Sequence, residues 1–289
     1  MRFLLIFLCA LLGAPPALAW NAAGHRLVAL IAWQQLSAPS RRFVGAALAL
    51  HPDYGRWRER AGGQGEAAIF AEAATWADGI RGDPRYYDEG RDAPTPLLAG
   101  RFDSRRHRDW HYADFDAAGR PAGGQIDRQI MRLSRQLAAA ARPADAAYAL
   151  PWLLHLVADI HQPLHVGRAG DYGGARYPVL APDRRGSSLT TLHAYWDDLP
   201  GPSSLRGQRL QREAARLLTA SRPPAQGDAD LWREESRSLH ASIYPRQSGA
   251  VIDAAFDRQA RAIADRRLSE AGYRLGRLLE SSLGARLAR

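Results

Sequence analysis

The sequence predicts an all-α protein: one mostly helical domain with long loops. Apolar residues recur at helical spacing through most of the chain, while a strand pattern is confined to residues 177–180, after a Gly-rich turn. Two stretches rich in Gly, Pro and charge, 82–108 and 167–187, are expected to be the loops. No internal repeat and no low-complexity linker divides the 289 residues, so one domain fits better than two.

The predicted helices follow from the spacing of apolar side chains. Residues 24–36 (GHRLVALIAWQQL) place them on one face of a helix, and residues 66–80 form an Ala-rich amphipathic segment. Pro151 is expected to start or kink the helix that covers 145–161. Further helices are predicted over 40–50, 125–141, 188–198, 205–221, 228–242 and 252–283.

Residues 1–19 have the pattern of a secretory signal peptide. A positive residue precedes an apolar stretch (3–12), and Ala17-Leu18-Ala19 forms a small-residue cleavage site. The stretch is too short to span a membrane. Cleavage would leave residues 20–289 as one domain with Trp20 at the mature N-terminus, in the periplasm or outside the cell. An uncleaved anchor, or a cut one or two residues away, is the alternative.

The composition indicates a basic protein without disulfides. The formal net charge is +9, and Arg alone supplies the positive side chains because the chain contains no Lys. The one cysteine, Cys9, lies within the predicted signal. A basic surface favours polyanionic partners through long-range attraction, although a GC-rich genome explains the use of Arg more simply. The charge is spread along the chain, with no block typical of a nucleic-acid-binding tail.

Nine scattered residues have the chemistry of metal ligands. His155 with Asp159, and His193 with Asp197, are four residues apart, which places each pair on one helix face. Imidazole nitrogen and carboxylate oxygen both suit Zn²⁺, whereas a single His or Asp is more often a solvated residue. Nine ligands exceed what one tetrahedral ion needs, so the pattern predicts a multinuclear, hydrolytic site. The candidates are Trp20, His25, Asp78, His111, His155, Asp159, His165, His193 and Asp197.

Five motifs together resemble the secreted type I nucleases, also called the S-one/P-one nucleases. They are WNAAGH (20–25), TWADGIR (75–81), WHYAD (110–114), HLVADIHQPLH (155–165) and LHAYWDDLP (192–200). AGYRLGRLL (271–279) is also similar to the last helix of that family. The resemblance implies the mostly helical fold that zinc phospholipase C shares with the type I nucleases, with three zinc ions in a cleft between long loops.

The resemblance also implies how the ligands divide among the ions. It assigns the first zinc to Asp78, His111, His155 and Asp159. It assigns the second, more exposed zinc to His165, His193 and Asp197. It assigns the third to the amine and carbonyl of Trp20, to His25 and to Asp159. Asp159 would thus serve two ions, which would share a hydroxide at neutral pH.

The resemblance further implies the roles of four residues. The hydroxide attacks phosphorus in line, Asp78 orients it, and Arg81 holds a phosphate oxygen as charge develops. Tyr112 stacks on a base and Asp114 meets the base edge, which favours single-stranded DNA and RNA. The second zinc stabilises the leaving 3′ oxygen, so products keep a 5′ phosphate. The implied enzyme is a monomeric, secreted or periplasmic nuclease and 3′-nucleotidase, with no membrane or stable protein partner.

The chain departs from the family pattern at three places. Ala175 and Thr191 stand where the family has Asn, and 33 positions separate Asp78 from His111, more than in the fungal members. The added loop is expected to cap the cleft, to contact phosphate, or to be a mobile insertion. Two other functions stay open. One is a zinc phospholipase C, which typically has Glu at the position of Asp197. The other is a secreted zinc-binding protein without activity.

Overall fold

The computed structural model describes residues 20–100, 102–183 and 186–287, so the predicted signal peptide lies outside the described residues. Helices dominate this part of the chain, which confirms the predicted mostly helical fold. The α-helices are α1 (Ala22–Gln35), α2 (Ala38–Ala49), α3 (Tyr54–Ala61), α4 (Glu66–Ala73), α5 (Trp76–Gly79), α6 (Ile126–Ala139), α7 (Pro143–Ala146), α8 (Ala149–Asp159), α9 (Leu192–Asp197), α10 (Gly207–Ala220), α11 (Ala229–Ser238), α12 (His240–Ile243) and α13 (Ala254–Leu287). Two small antiparallel hairpins pair β1 (Ala113–Phe115) with β2 (Pro121–Gly124) and β3 (Pro178–Asp183) with β4 (Gly186–Thr191).

The core forms around α1, which is buried along most of its length and packs against α4, α8, α10 and α13. Two glycines let the 34-residue α13 approach it closely. A Cβ on Gly276 would lie 2.7 Å from the Cβ of Gln35, and a Cβ on Gly272 would collide with Ile31. Substituting either glycine would push the two helices apart. The helix that carries His25 is therefore fixed on several sides.

The helix α8 is buried over its whole length and has no solvated face. Pro151 lies in its first turn, where the missing N–H costs no intrahelical hydrogen bond, so it starts the helix, which is one of the two predicted roles. The helix ends at Asp159, and Pro163 then begins a 3₁₀ turn that ends at His165. This helix end thus places several candidate ligands inside the protein.

The predicted helix over 188–198 is wrong in its first turn. Residues 186–191 form β4, paired in register with β3. Ser and Thr suit a strand, and the partner strand decides the conformation of this stretch. The helix α9 begins at Leu192, where the Thr191 side chain accepts a 3.1 Å hydrogen bond from the Ala194 amide and caps it.

Several other predicted elements differ only at their ends, but the helices predicted over 145–161 and 228–242 are each divided in two, as α7 with α8 and as α11 with α12. The strand expected at 177–180 is confirmed within β3. The helix expected over 66–80 is interrupted after Ala73, where Thr75 Oγ1 donates a 2.8 Å hydrogen bond to the Glu72 carbonyl. Neither α3 nor the β1–β2 hairpin has a counterpart among the predicted elements. Among the helices that the structure describes, none combines the length and the apolar composition needed to cross a bilayer.

The loop over 82–108 is held against its neighbours by charged side chains. The Arg85 guanidinium lies 2.6 Å from Asp53 Oδ1. Arg106 donates a 3.2 Å hydrogen bond to the Ile80 carbonyl and lies 2.7 Å from Asp92 Oδ2. Such links disfavour the mobile-insertion alternative. They also leave these arginines engaged with carboxylates rather than poised for phosphate.

Candidate metal centre

Eight candidate side chains converge from six segments: α1, α5, α8, α9 and the 3₁₀ turns Arg108–His111 and Pro163–His165. Seven of them are buried, and the Asp78 side chain is 18% exposed. They form three groups that could each hold a metal ion, two of which share His155. The groups are His25 with Asp78 and His155, His111 with His155 and Asp159, and His165 with His193 and Asp197.

The group around Asp159 is the most compact. His111 Nδ1 lies 3.0 Å from Asp159 Oδ2 and 3.1 Å from His155 Nε2, which itself is 3.1 Å from the same carboxylate oxygen. Asp78 Oδ1 lies 3.7 Å from His155 Nε2. The structure thus brings together the four side chains that the resemblance assigns to the first zinc.

His25 joins this group from the other side. Its Nε2 lies 3.4 Å from Asp159 Oδ1 and 3.8 Å from Asp78 Oδ2, and its ring stacks on His155 at 3.9 Å. Trp20 lies just before α1, with its side chain fully buried. A Cβ on Gly24 would lie 2.6 Å from the Cβ of Trp20, so a glycine is needed for this packing. The two carboxylate oxygens of Asp159 therefore face different histidines.

The group in α9 and the Pro163–His165 turn matches the set assigned to the second zinc. His165 Nε2 and His193 Nε2 face each other at 3.2 Å, and His193 Nε2 lies 3.6 Å from Asp197 Oδ2. The other oxygen of Asp197 accepts a 2.9 Å hydrogen bond from the Gln162 side chain. This amide fixes the orientation of the carboxylate. Gln162 lies in a quoted motif, but nothing in the sequence indicated this contact.

The hydrogen bonds at Nδ1 test whether a metal ion fits. His165 Nδ1 donates to the His111 carbonyl at 2.6 Å, and His193 Nδ1 donates to the Gly173 carbonyl at 2.7 Å. A carbonyl only accepts, so Nδ1 carries a hydrogen in both rings, and a ring that is neutral then has its lone pair at Nε2. Two lone pairs facing at 3.2 Å repel unless a cation lies against both. Carbonyl-bound Nδ1 atoms that leave Nε2 for a metal are common around zinc.

Several other buried polar atoms need a partner that the side chains do not supply. Both ring nitrogens of His25, Nε2 of His111 and Oδ1 of Asp159 make no hydrogen bond to the described residues. Leaving such atoms unsatisfied costs roughly 1–3 kcal/mol each. They are nitrogen and oxygen ligands of the type that zinc prefers. The donor set therefore fits bound zinc.

Burial keeps three of the imidazoles in the neutral form that binds metal. Burial lowers the pKa of His25, His111 and His165, which keeps their imidazoles neutral. Burial alone would also lower the pKa of His155, but the carboxylates of Asp159 and Asp78 raise it above its usual value. Without a cation, burial disfavours the charged form of the carboxylates.

Two carboxyl groups of the centre have a raised pKa for this reason. Burial raises the pKa of Asp159 to about 6, against the opposing effect of His155. Burial raises the pKa of Asp197 well above its usual value, and Gln162 only partly offsets this. A divalent cation would stabilise both carboxylates in their charged form. Charge balance and ligand type thus both favour metal at this centre.

The predicted phosphate and base contacts lie beside the metal groups. Arg81 NH2 lies 3.0 Å from Asp78 Oδ1, and the arginine side chain is 11% exposed. Tyr112 is half-buried, and a Cβ on Gly123 would lie 3.6 Å from its ring. Asp114 is two residues further along β1, where burial raises its pKa to about 6. Arg81 contacts Asp78, and Tyr112 directly follows His111, so these residues adjoin the metal groups.

Tyr172 was not among the predicted site residues. Its ring is 56% exposed, and its φ of 54° lies in the left-handed region, which costs a non-glycine residue energy. Burial, Asp114 and, to a smaller degree, the nearby Tyr172 raise the pKa of Tyr112. Tyr172 is thus an exposed aromatic in a strained turn, and the Arg176 Cζ lies 3.9 Å from its ring centre. The sequence did not identify this residue, because it lies in the Gly-rich loop 167–187 and outside the motifs.

The two positions where the family has Asn differ in their consequences. Thr191 caps α9 through its hydroxyl, so the start of the helix with His193 stays fixed. Ala175 follows Gly173 and Gly174, whose φ values of 60° and 80° require glycine. The Gly173 carbonyl holds His193, so these glycines position a candidate ligand. The loss of Asn at 175 therefore leaves this support intact.

Comparisons with known proteins agree with this geometry. The sequence profile of the S1/P1 nucleases matches residues 20–284. Endonuclease 4 of Arabidopsis thaliana is 45% identical over 58 residues, which are 20% of this chain and 18% of that protein. Endonuclease 3 of the same species is 28% identical over 236 residues (79% of this chain, 71% of that protein). Nuclease S1 of Aspergillus oryzae is 26% identical over 185 residues (62% and 53%). Because the profile covers most of the chain, this protein belongs to the S1/P1 nuclease family, whose members are phosphodiester hydrolases.

Proposed function

We propose that the chain is a zinc-dependent nuclease that cuts single-stranded DNA and RNA into 5′-phosphorylated products and also removes 3′ phosphates from nucleotides. Three zinc ions would be held by the nine residues named above, with Trp20 contributing its amine and carbonyl. The protein would act as a monomer in the periplasm or outside the cell, after cleavage following Ala19. The family profile begins at residue 20, which agrees with this cleavage site.

The observation that carries the proposal is the pair of imidazoles at His165 and His193. Both are held at Nδ1 by carbonyl groups, and their Nε2 atoms face each other at 3.2 Å. Two imidazole nitrogens that meet at one point beside the Asp197 carboxylate have the arrangement that ligands of one ion require. When bound, zinc at this centre supplies Lewis acidity for water and for the phosphate.

The side chains around the metal groups would bind and orient the phosphodiester. Arg81 donates hydrogen bonds to a non-bridging phosphate oxygen, and its ion pair with Asp78 aims the guanidinium. Asp78 is the most exposed of the eight side chains and accepts a hydrogen bond from the attacking water. The bond between phosphorus and the 3′ oxygen would break, the 3′ oxygen would take up a proton from water, and the phosphate would stay on the 5′ oxygen of the other product. His165, His193 and Asp197 would hold the zinc that supplies charge stabilisation to the leaving oxygen.

The base site would select unpaired strands. Tyr112 stacks on a base only when that base is free of its partner and its neighbours, because the ring needs access to one face. Asp114 then accepts hydrogen bonds from amino groups at the base edge when it is ionised. A base within a duplex cannot reach both side chains. This geometry supports a preference for single strands.

The first test combines metal analysis with digestion. Purified mature protein should contain about three zinc ions, lose activity to a chelator and regain it with zinc. It should digest single-stranded DNA and RNA faster than duplex and release 5′-phosphorylated ends. Active protein with one ion or none would contradict the trinuclear assignment. Release of phosphocholine from phosphatidylcholine, without nucleotide products, would instead indicate a phospholipase C.

The second test concerns the N-terminus. A protein that keeps an added Met or tag before Trp20 lacks the free amine at that position. It should bind one zinc fewer and lose activity by orders of magnitude. The matched control carries the same tag at the C-terminus. Equal zinc content and activity of both proteins, confirmed intact by mass spectrometry, would remove Trp20 from the ligand set.

A further inference from the structure

A second groove opens on the far side of the strand that carries Asp114. We call it the hairpin groove; its volume is about 670 Å³. The lining includes a strand residue, a turn glycine, two arginines and residues of the neighbouring loop and helix. These are Phe115, Gly119, Arg168, Asp171, Arg237 and His240. None of them belongs to the metal groups or to the predicted base site.

The groove adjoins the proposed base site. Phe115 directly follows Asp114, and its amide donates a 3.0 Å hydrogen bond to the Gly167 carbonyl. A Cβ on Gly167 would lie 2.9 Å from Asp114 Oδ1, so the two lining segments touch there. Gly167 is two residues after His165. A strand whose base lies at Asp114 would therefore have its neighbouring phosphates close to the hairpin groove.

Two arginines in the groove are held by aromatic rings rather than by strong ion pairs. The Arg168 Cζ lies 3.9 Å from the centre of the Tyr244 ring, and no ion pair joins its guanidinium to a carboxylate among the described residues. The Arg237 Cζ lies 4.6 Å from the Phe115 ring centre. Its one ion pair, to Glu234 at 3.3 Å, joins two exposed side chains and is weak. Stacking orients the guanidinium plane and leaves N–H groups for an anion.

The acidic residues of the groove have their own partners. Asp116 Oδ2 lies 2.8 Å from Arg120, and its other oxygen accepts the Arg120 amide at 2.9 Å. Asp171 Oδ1 accepts hydrogen bonds from the Gly174 amide at 2.8 Å and the Tyr244 hydroxyl at 3.2 Å. These contacts satisfy the carboxylates locally. In the 82–108 loop, by contrast, Arg85, Arg105 and Arg106 pair with carboxylates.

We propose that the hairpin groove binds the sugar–phosphate backbone of the strand next to the nucleotide held at Tyr112 and Asp114, with Arg168 and Arg237 each contacting a phosphate. The nature of the ligand rests on the nuclease function proposed above. The groove would lengthen the binding site without taking part in hydrolysis. It should therefore raise affinity for long strands and leave the shortest substrates unaffected.

The test measures binding and cleavage against strand length and salt. Binding is followed by the fluorescence anisotropy of a labelled phosphorothioate decathymidylate, with zinc-loaded protein and a gel check that the probe stays intact. Each phosphate contact adds about 0.7 to the slope of log K against log salt for single strands. The double variant Arg168→Gln/Arg237→Gln should lower that slope by about 1.4. Between about 50 and about 200 mM salt, the wild type should then lose about sevenfold more affinity than the variant.

Cleavage provides the second readout. The double variant should raise the KM for a decanucleotide and leave kcat/KM for a dinucleotide unchanged. Arg209→Gln/Arg212→Gln is the matched control, because both arginines are exposed on α10 and this double variant removes the same two charges elsewhere. An unchanged salt slope, or equal losses in the double variant and the control, would overturn the inference. If the salt slope of the wild type exceeded that of the double variant by about 1.4 but the wild type cut no nucleic acid, the proposed nuclease function would be wrong. The proposed binding of the backbone in the hairpin groove would then still hold.

Discussion

Asp159→Asn tests the metal centre at its most connected residue. Asp159 is fully buried, and its two oxygens lie 3.0 to 3.4 Å from His111, His155 and His25. Asn keeps the shape of the side chain but removes its charge and replaces one oxygen by a donor. Loss of an outer partner alone weakens metal binding about 10- to 100-fold. Loss of a shared ligand should weaken each of two ions by at least about 100-fold, or about 2.7 kcal/mol per ion.

The assay is zinc content after dialysis against a buffer of fixed free zinc, together with the rate on single-stranded DNA. The variant should retain about one zinc, at the His165 group, and its rate should fall by orders of magnitude. Asp265→Asn is the control, because Asp265 is an exposed residue that pairs with Arg216 on the surface. Normal zinc content and a normal rate in the Asp159 variant would refute the assignment of that residue to two ions.

Three further predictions concern base contact, pH and stability. Tyr112→Ala should weaken the use of single strands by about 1–3 kcal/mol and leave the zinc content unchanged. Arg81→Ala should instead lower kcat more than it raises KM. Reversed effects of the two variants in steady-state kinetics would contradict both roles. Because burial raises the pKa of Asp114 to about 6, its carboxyl loses its proton and becomes an acceptor as pH rises through that value. The kcat/KM ratio of guanine to thymine substrates should therefore rise with pH, and Asp114→Asn should abolish the change. The buried Arg26 lies 2.7 Å from Glu72, and Glu72→Gln would remove its counter-charge. This variant should lower the free energy of unfolding in urea by about 3–5 kcal/mol. A loss below about 1 kcal/mol would mean that the pair is screened.

The sequence was sufficient to predict a helix where apolar residues recur over a long stretch. Residues 24–36 and 252–283 carry long apolar stripes, and both became helices within a few residues of the predicted ends. The stretch 188–191 failed because its side chains suit either state and a partner strand decided. The broken segment around Thr75 failed for a local reason, since its hydroxyl competes for the Glu72 carbonyl.

The candidate site was predictable for a similar reason. The i,i+4 pairs in α8 and α9 fix two side chains each by helix geometry alone. His25, Asp78 and His111 come from separate segments, and only the resemblance to a family joined them before the structure was known. Supports such as Gln162 and Gly173 act through contacts that no spacing encodes. The same holds for Tyr172, whose proximity to Tyr112 depends on a turn of left-handed backbone.

The net charge shows most clearly what composition cannot decide. Arginines in the 82–108 loop and at Arg168 and Arg237 look alike in the sequence, and the excess of positive charge alone favoured a polyanion only weakly. In the folded chain Arg85 and Arg106 lie beside carboxylates, which lowers their value for an added phosphate. Arg168 is exposed and stacked on a ring, so its N–H groups can exchange water for phosphate at little cost. Substrate contact should therefore follow the pairing of each arginine rather than the number of arginines in a segment.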